Sequence, residues 1–454
     1  MRDAIALAEH VLAMTSGQAL VRVVAERSLS LRFARSAPTQ STSVEDLDVE
    51  VVVLRDGHAG LATTNRIDDD GLRAAARRAE EAAAIAAAHA SGAGPYPAPA
   101  PGAVIEGLAG WDGRTAELDP SDGGAEVEAA IVEAGTHGLE AFGIWSAGEV
   151  THAIASTEGA RLVDRVTDSY MKVICRDDEA RCGFASSTDM RLATVDGAAL
   201  ARVASEKVTP ATAIDLPPGR YTAVLDADAV GELLAFAGTL AFNGLAHAEG
   251  RGALSGRLGE EVASTKVTIT DDPRAAGTLP RTFDADGVAK RAIPLIERGI
   301  ARGVVHDLRS AAVAGDGAGS TGHAVAPGGS PEGPETTNLV LAPGDAEDVA
   351  ALCAPIERGI YVTRFWYTNT VRERDAVVTS MTRDGTFLIE NGRITRPIRD
   401  VRITDSLLRL LTDVEALGAG QRLIGHGEFY GRRFAHGVLC PPIRVGGLRV
   451  TGGA

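Results

Sequence analysis

Aromatic residues are scarce in this sequence: Phe, Trp and Tyr make up 4% of 454 residues. With 52 Gly in the chain, the core is expected to rest on close backbone packing rather than on aromatic clusters. Cysteine is scarce too. Cys175, Cys182, Cys353 and Cys440 form no C-x-x-C pair, which removes a zinc ribbon and a redox motif from consideration. Cys175 and Cys182 read as free thiols of a reducing cytosol. Positive charge is short: 45 Lys and Arg against 61 Asp and Glu leave a net charge of −16. No basic run interrupts that surface, and a nucleic-acid backbone would be repelled by it. The most apolar stretch, residues 233–246, falls short of the ~20 residues that a bilayer-spanning helix needs. Charges within residues 1–14 break any signal-peptide apolar core. These absences argue against nucleic acid, membrane and export, and make a cytoplasmic protein the default. H-E-x-x-H, G-x-S-x-G and Walker A patterns are missing as well, so the common zinc-peptidase, serine-hydrolase and nucleotide motifs give no lead.

What is present suits a globular chain. It is 45% hydrophobic and long enough for two or three domains. A helix is expected over 3–14, from the spacing of Ile5, Leu7, Ala8, Val11 and Leu12. Residues 19–25, 29–34 and 49–54 (VEVVVL) read as strands, and Asp56-Gly57 as a turn. Residues 68–90 form a long Ala-rich helix whose opening acids suit the positive end of its dipole. Residues 91–102 (SGAGPYPAPAPG) are a surface connector, placed as well inside one domain as between two. Helical patterns at 127–134 and 197–205 flank strand-like 151–155 and 169–175. A turn at Leu216-Pro217-Pro218-Gly219, a strand at 220–226, a helix at 229–246 and a strand at 262–271 follow. Residues 314–335 (AGDGAGSTGHAVAPGGSPEGPE) have too little apolar surface to order themselves, and a loop of that length within a domain points to function or motion. Residues 338–450 read as short strands, with turns at Arg383-Asp384-Gly385 and Asn391-Gly392. No repeat of solenoid period occurs. The class is α+β, with the main boundary near 208–219.

Chemistry is hard to find. Of ten histidines, only His247-Ala248-Glu249 sets one near a carboxylate on a helix-adjacent segment. Residues two apart on a helix do not face each other, so a solvated helix end is the plainer reading. Residues 315–322 lack the Gly-Lys-Ser/Thr ending of a phosphate loop. On residue types alone the chain is a soluble α+β protein without an assigned activity.

Four segments carry a resemblance. The first is 253–264 (ALSGRLGEEVAS) with Asp271-Asp272-Pro273, and the second is Phe283-Asp284-Ala285-Asp286-Gly287. The third is Ser320-Thr321-Gly322-His323 with Thr337-Asn338-Leu339 and Ala342-Pro343-Gly344. The fourth is 359–367 (GIYVTRFWY) with 388–392 (LIENG) and Pro397. In this order the chain resembles the TldD/TldE (PmbA) metallopeptidase family over nearly its whole length, most specifically in its C-terminal half. The resemblance implies a two-domain α+β architecture. An N-terminal mixed domain would span 1–210, with an optional split near 91–110. A strand-rich C-terminal domain would span 211–454, with a long helix at its start.

Active members of that family carry H-E-x-x-x-H on this helix, with the Glu placed to activate a metal-bound water. Counting back without gaps from Ser255-Gly256 puts the motif on 235–240. Ala235 and Leu240 then stand at the His positions and Phe236 at the Glu position, and none of these can ligate a metal or move a proton. A further ligand in active members is a Cys in a Gly-rich segment. Cys440, directly before Pro441-Pro442, comes several residues too late and reads as a buried thiol. The helix is apolar instead, with Leu233, Leu234, Phe236, Leu240 and Phe242, and should pack into a core or a partner groove.

The resemblance thus implies a TldE-type subunit that binds no cofactor itself. Zinc would sit on a TldD-type H-E-x-x-x-H partner in a heterodimer, with a homodimer as the alternative when the chain is alone. The assembly would cleave unfolded or small peptides, natural-product precursors included, and this chain would be inactive by itself. The alternative is a stand-alone binding or regulatory protein, similar to a gyrase modulator and without peptidase activity. A third reading, an enzyme pairing Cys175, Cys182 or Cys440 with a His, has no spacing to support it. Thr321, Gly322, His323, Asn338, Phe365, Trp366 and Tyr367 are the candidates for lining a peptide channel or contacting the partner. Plainer alternatives stand beside them: His323 as a solvated loop residue, and Phe365 and Tyr367 alternating into a core with Trp366 over an edge.

Overall fold

Asp3 accepts the amide of Ile5 at 3.2 Å and starts α1 (Ala4–Leu12). In the computed structural model, which describes residues 3–89, 96–315, 317–425, 427 and 431–453, the two expected strands after it are one, β1 (Gln18–Ala34). β1 turns through Arg35 and Ser36 into β2 (Ala37–Arg55), and the expected Asp56-Gly57 turn leads into β3 (His58–Thr64). All four turn residues have positive φ, the hand that matches hairpin twist. α2 (Asp69–Ala88) is capped by Asp68, which accepts the Gly71 amide at 2.8 Å. Residues 91–95 of the expected connector lie outside the described residues, and 96–102 have no regular structure. Then come α3 (Pro120–Thr136), β4 (Glu140–Ser156), β5 (Arg161–Arg176), β6 (Cys182–Asp189) and α4 (Gly197–Glu206). The six strands form one antiparallel sheet, β3-β2-β1-β4-β5-β6.

The faces of this sheet differ, because successive side chains point to opposite sides. Val21, Val23, Val51, Val53 and Ala153 pack beneath α1 and α2. Trp145, Met171 and Val173 pack beneath α3 and α4. The opposite face presents Arg22, Glu26, His152, Asp164 and Asp168, all buried. They are buried because the C-terminal half covers them, and each needs a polar partner there.

The C-terminal half holds two sheets. β7 (Gly219–Leu225), β12 (Arg358–Arg372), β13 (Val377–Glu390), β15 (Val401–Ser406) and β19 (Ile443–Gly453) pair in a ring that closes through β12 and β13. β14 (Arg393–Pro397) and β16 (Val414–Leu417) attach to its outside. A barrel this small is filled by its own side chains, here Leu225, Ile360, Val362, Val378, Leu388, Ile403 and Val445. The second sheet runs β10 (Ile300–Ala301), β9 (Ile293–Glu297), β8 (Ile269–Asp271), β11 (Asn338–Leu341), β18 (Gly437–Cys440), β17 (Arg422–Gly425). α5 (Ala227–Leu240) packs against both, burying Leu233, Leu234, Ala237 and Leu240. Each such Leu contributes roughly 1.5–3 kcal/mol of burial. The short helices α6 (Gly244–Ala248), α7 (Leu308–Ala314), α8 (Val349–Cys353) and α9 (Leu407–Thr412) complete the chain. Among the described residues no helix is long and apolar enough to cross a membrane.

Four local expectations need correction. The helix read over 229–246 is two, α5 and α6, because Asn243 caps α6 by accepting the Ala246 amide at 3.0 Å. The strand read over 262–271 is only β8; the segment before it is turns and bends. Arg383-Asp384-Gly385 is no turn but an irregularity inside β13, with Asp384 and Gly385 at positive φ and standing opposite the single residue Thr363 of β12. Asp316 lies outside the described residues; the described part of the Gly-rich segment does order itself, through hydrogen bonds rather than apolar burial. Its backbone is held by Arg309 at Ser330, Asn243 at Glu332 and Pro334, Asp284 at Ala324 and Asp286 at Gly328.

Candidate functional site

An open cleft of ≈ 690 Å³ runs along α5. Ala235, Phe236 and Thr239 form its helical wall, Glu335 and Thr336 face them, and Leu339, His436, Gly437 and Val438 close the rest. The helix is fixed at its start. Asp226 accepts the Ala227 amide at 2.8 Å and the Tyr361 hydroxyl at 2.6 Å. Burial works to raise the Asp226 carboxyl, but Lys207 and Arg422 outweigh it and hold it below the usual carboxylate range. Asp228, in the first turn, pairs with Arg422 and accepts Ser186 Oγ at 2.5 Å. Both acids suit the positive end of the helix. Gly238 fixes the opposite wall: a Cβ there would lie 2.3 Å from Thr336 Oγ1, so only glycine lets this segment lie against the helix.

The cleft sets apolar Ala235, Phe236, Leu339 and Val438 beside polar Thr239, Glu335, Thr336 and His436, and concave sites that pair apolar surface with placed polar groups are where ligands bind. His436 Nδ1 is 2.8 Å from the Phe434 carbonyl. Burial and the neighbouring Glu332 raise the Glu335 carboxyl. Of the three positions matched to the metal motif, Ala235 and Phe236 line the cleft, whereas Leu240 is 4% exposed and packs into the core. Five residues along a helix correspond to about 140° of net rotation, which accounts for the split.

A second polar centre lies buried beneath the Gly-rich segment. Asp271, at the end of β8, accepts the amides of Thr337 (2.8 Å) and Asn338 (2.9 Å) through Oδ2. Its Oδ1 is 2.9 Å from His323 Nε2 and 3.9 Å from Lys290 Nζ. Burial alone would raise this carboxyl, yet Lys290 and His323 overcome it and bring it down to about 2. Lys290 is itself lowered by burial to about 8, and burial also lowers His323, with Lys290 acting the same way. A carboxylate only accepts, so Nε2 of a neutral His323 carries the proton and its Nδ1 accepts from Thr321 Oγ1 at 2.8 Å. The same hydroxyl accepts the His306 amide at 2.7 Å. Thr321, His323 and Asp271 thus form a chain with the connectivity of a nucleophile, base and orienting acid. Thr321 is 7% exposed and its oxygen is committed to His306, so the chain holds the loop rather than attacking a substrate.

The candidate residues therefore divide into separate places. Thr321, Gly322, His323 and Asn338 gather in this buried centre, with Asn338 Nδ2 donating to the Leu279 carbonyl at 2.8 Å. Phe365 is 3% exposed in the barrel core. Trp366 and Tyr367 are 45% and 72% exposed; Tyr367 does not alternate inward, because its φ of 58° sits in a register shift between Trp366 and Asn369. The two rings lie 5.3 Å apart, with Arg383 4.3 Å over Trp366. Sequence reasoning missed Asp271, Lys290 and Asp284 in the buried centre and Glu335 and His436 in the cleft. Asp271 and Asp284 lay within quoted motifs; nothing local marks Lys290 or His436.

Among the described residues, those lining the α5 cleft do not fit a catalytic metal. The α5 side chains facing the cleft offer no ligand atoms beyond the Thr239 hydroxyl, and no group of three or more His, Cys, Asp or Glu among the described residues could hold an ion. Cys440 lies inward, donating to the Ala227 carbonyl at 3.4 Å, and burial pushes its thiol up. Comparison with known proteins decides the relationship. The family model for the PmbA/TldA metallopeptidase C-terminal domain matches residues 218–452, just over half of the chain, and the model for domain 1 of the same family matches 19–83. The chain belongs to the PmbA/TldD metallopeptidase family. A metalloprotease from Methanothermobacter thermautotrophicus is 28% identical over 247 residues, covering 52% of this chain and 51% of that protein. A metalloprotease TldD homolog from Haemophilus influenzae is 27% identical over 247 residues, covering 53% and 50%. The chain thus spans about half the length of the curated relatives it matches. A putative modulator of a DNA gyrase from Thermotoga maritima has the same fold, with a TM-score of 0.84, 19% identity and coverage of 98% and 99%. TldE from Thermococcus kodakarensis matches with a TM-score of 0.83, 17% identity and the same coverage. The PmbA/TldD fold is therefore shared from end to end, while the α5 cleft of this member presents Ala235 and Phe236 where a metal motif was sought.

Proposed function

We propose that this chain is the metal-free, TldE-type subunit of a two-chain zinc peptidase of the cytoplasm. Its α5 cleft forms part of the channel for an unfolded or small peptide, and zinc resides on a partner bearing H-E-x-x-x-H. The observation that carries this reading is the cleft itself: open, and walled by Ala235, Phe236 and Thr239 in place of ligands. Exposed Trp366 and Tyr367 suit contact with the partner, since aromatic side chains anchor interfaces.

The test is co-expression with an H-E-x-x-x-H family member of the same genome, followed by size exclusion, zinc analysis and a peptide-cleavage assay. One mixed peak with zinc on the partner and cleavage only by the pair is expected. Stoichiometric zinc and cleavage by this chain alone would overturn the reading. Separate peaks, with this chain inert, would leave the stand-alone binding protein, to which the description of the Thermotoga maritima neighbour corresponds. The net charge of −16 disfavours direct DNA contact in that case.

A further inference from the structure

Among the described residues that line the cleft along α5, Glu335 carries the one carboxylate. Among the described residues its side chain forms no hydrogen bond or ion pair, and the charged group that acts on it is another acid, Glu332. Glu332 accepts from Ser330 Oγ at 2.9 Å and brings no cation. The cations near this loop are occupied elsewhere: Arg309 donates to the Ser330 carbonyl and lies over Tyr96, and Lys290 is directed to Gly322 and Asp271. Opposite Glu335 stand apolar Ala235 and Phe236 on the helix, with Leu339 and Val438 beside them. Glu335 is exposed at the cleft, so it presents its negative charge to whatever lies against Ala235 and Phe236. A basic side chain satisfies both features, since its methylene stem covers apolar surface while its head reaches an acid.

We propose that the cleft selects peptides carrying a lysine or arginine side chain, with Glu335 receiving the cationic head and Phe236 the stem. This rests on the reading of the cleft as a peptide site, and adds the class of peptide it takes. Glu335 is here a specificity determinant, not a catalytic group.

The test uses the full chain, alone and with the H-E-x-x-x-H partner. Dye-labelled pentapeptides identical except for Lys, Arg, norleucine or Glu at the central position are titrated by fluorescence anisotropy. A charge-assisted contact predicts Kd values for Lys and Arg about tenfold or more below norleucine, with Glu weakest. Glu335→Gln should bring the Lys and norleucine values together. Thr239→Trp, at an exposed position of the helical wall, should block all four peptides, and thermal unfolding of both variants verifies the fold. Equal Kd values for the four peptides, all lost in Thr239→Trp, would overturn the charge selection and leave the cleft a peptide site. Binding that ignores Thr239→Trp, or none in either form of the protein, would overturn the peptide site and the selection with it.

Discussion

The buried centre around Asp271 and the open cleft along α5 both draw residues from the segment 321–339, and they differ in how their polar groups are satisfied. In the centre, Asp271 receives two backbone amides and His323, with Lys290 close by, and His323 links onward to Thr321. In the cleft, Ala235, Phe236 and Leu339 stand beside the exposed carboxylate of Glu335, which has no partner among the described residues. Residues that look like chemistry on paper can be spent on holding a loop. Room for a ligand is found where side chains are bland and one polar group is left over.

The largest effect should come from the closed centre. Asp271→Ala leaves His323 Nε2 and two loop amides without their acceptor and Lys290 without its counter-charge, and the loss of one partner of a buried charged pair costs about 3–5 kcal/mol. A fall of that size in the unfolding free energy from urea titration is expected; a change under about 1 kcal/mol would mean the centre is wetter than its burial implies. Next comes the wall between the two regions. Gly238→Ala forces the Thr336 side chain away from α5 and should cost about 1–3 kcal/mol, as overpacking does, with the cleft wall displaced in a crystal structure.

The pH dependence separates two acids of the centre. Asp271, held at about 2 against an ordinary 3.8, contributes stability that is present above pH 3.8 and lost as pH falls toward 2. Asp284 is raised by burial to about 6, despite amide bonds from Ala324 and Val288. Its favourable contribution is present below 3.8 and lost as pH rises through 6. The urea midpoint of wild type minus that of Asp284→Asn should therefore fall between pH 4 and 7; a flat difference would mean Asp284 ionises normally. The smallest effect belongs to the surface. Trp366→Ala removes an exposed ring stacked with Arg383 and should change stability by at most ~1 kcal/mol, while weakening any complex that docks on this ribbon. An unchanged elution profile with the partner would place the interface elsewhere.

Much of this was legible in the chain. Helix caps at Asp3 and Asp68, the Asp56-Gly57 turn and the apolar run at 49–54 announce their elements because the forces behind them act within a few residues. The breaks at Asn243 and Asp384-Gly385 were not, although Asn before Gly is a usable cap signal; the register shift in β13 depends on how β12 lies beside it. The segment 314–335 misled because apolar content is only one source of order, and its anchors, Asn243, Asp284, Asp286 and Arg309, lie elsewhere in the sequence. Of the candidate residues, four share a place in the fold, yet their partners Asp271 and Lys290 come from separate elements.

By itself the sequence determined the class, the family resemblance and the absence of H-E-x-x-x-H, because these are statements about residue types and local spacing. Only the tertiary structure decided which polar residues are buried anchors and which stand in a cleft. The reason is that burial and counter-charge are set by neighbours distant in the chain: Asp271 is stabilised by residues 290, 323, 337 and 338, while Glu335, two residues before Thr337, is exposed and has no cation beside it among the described residues.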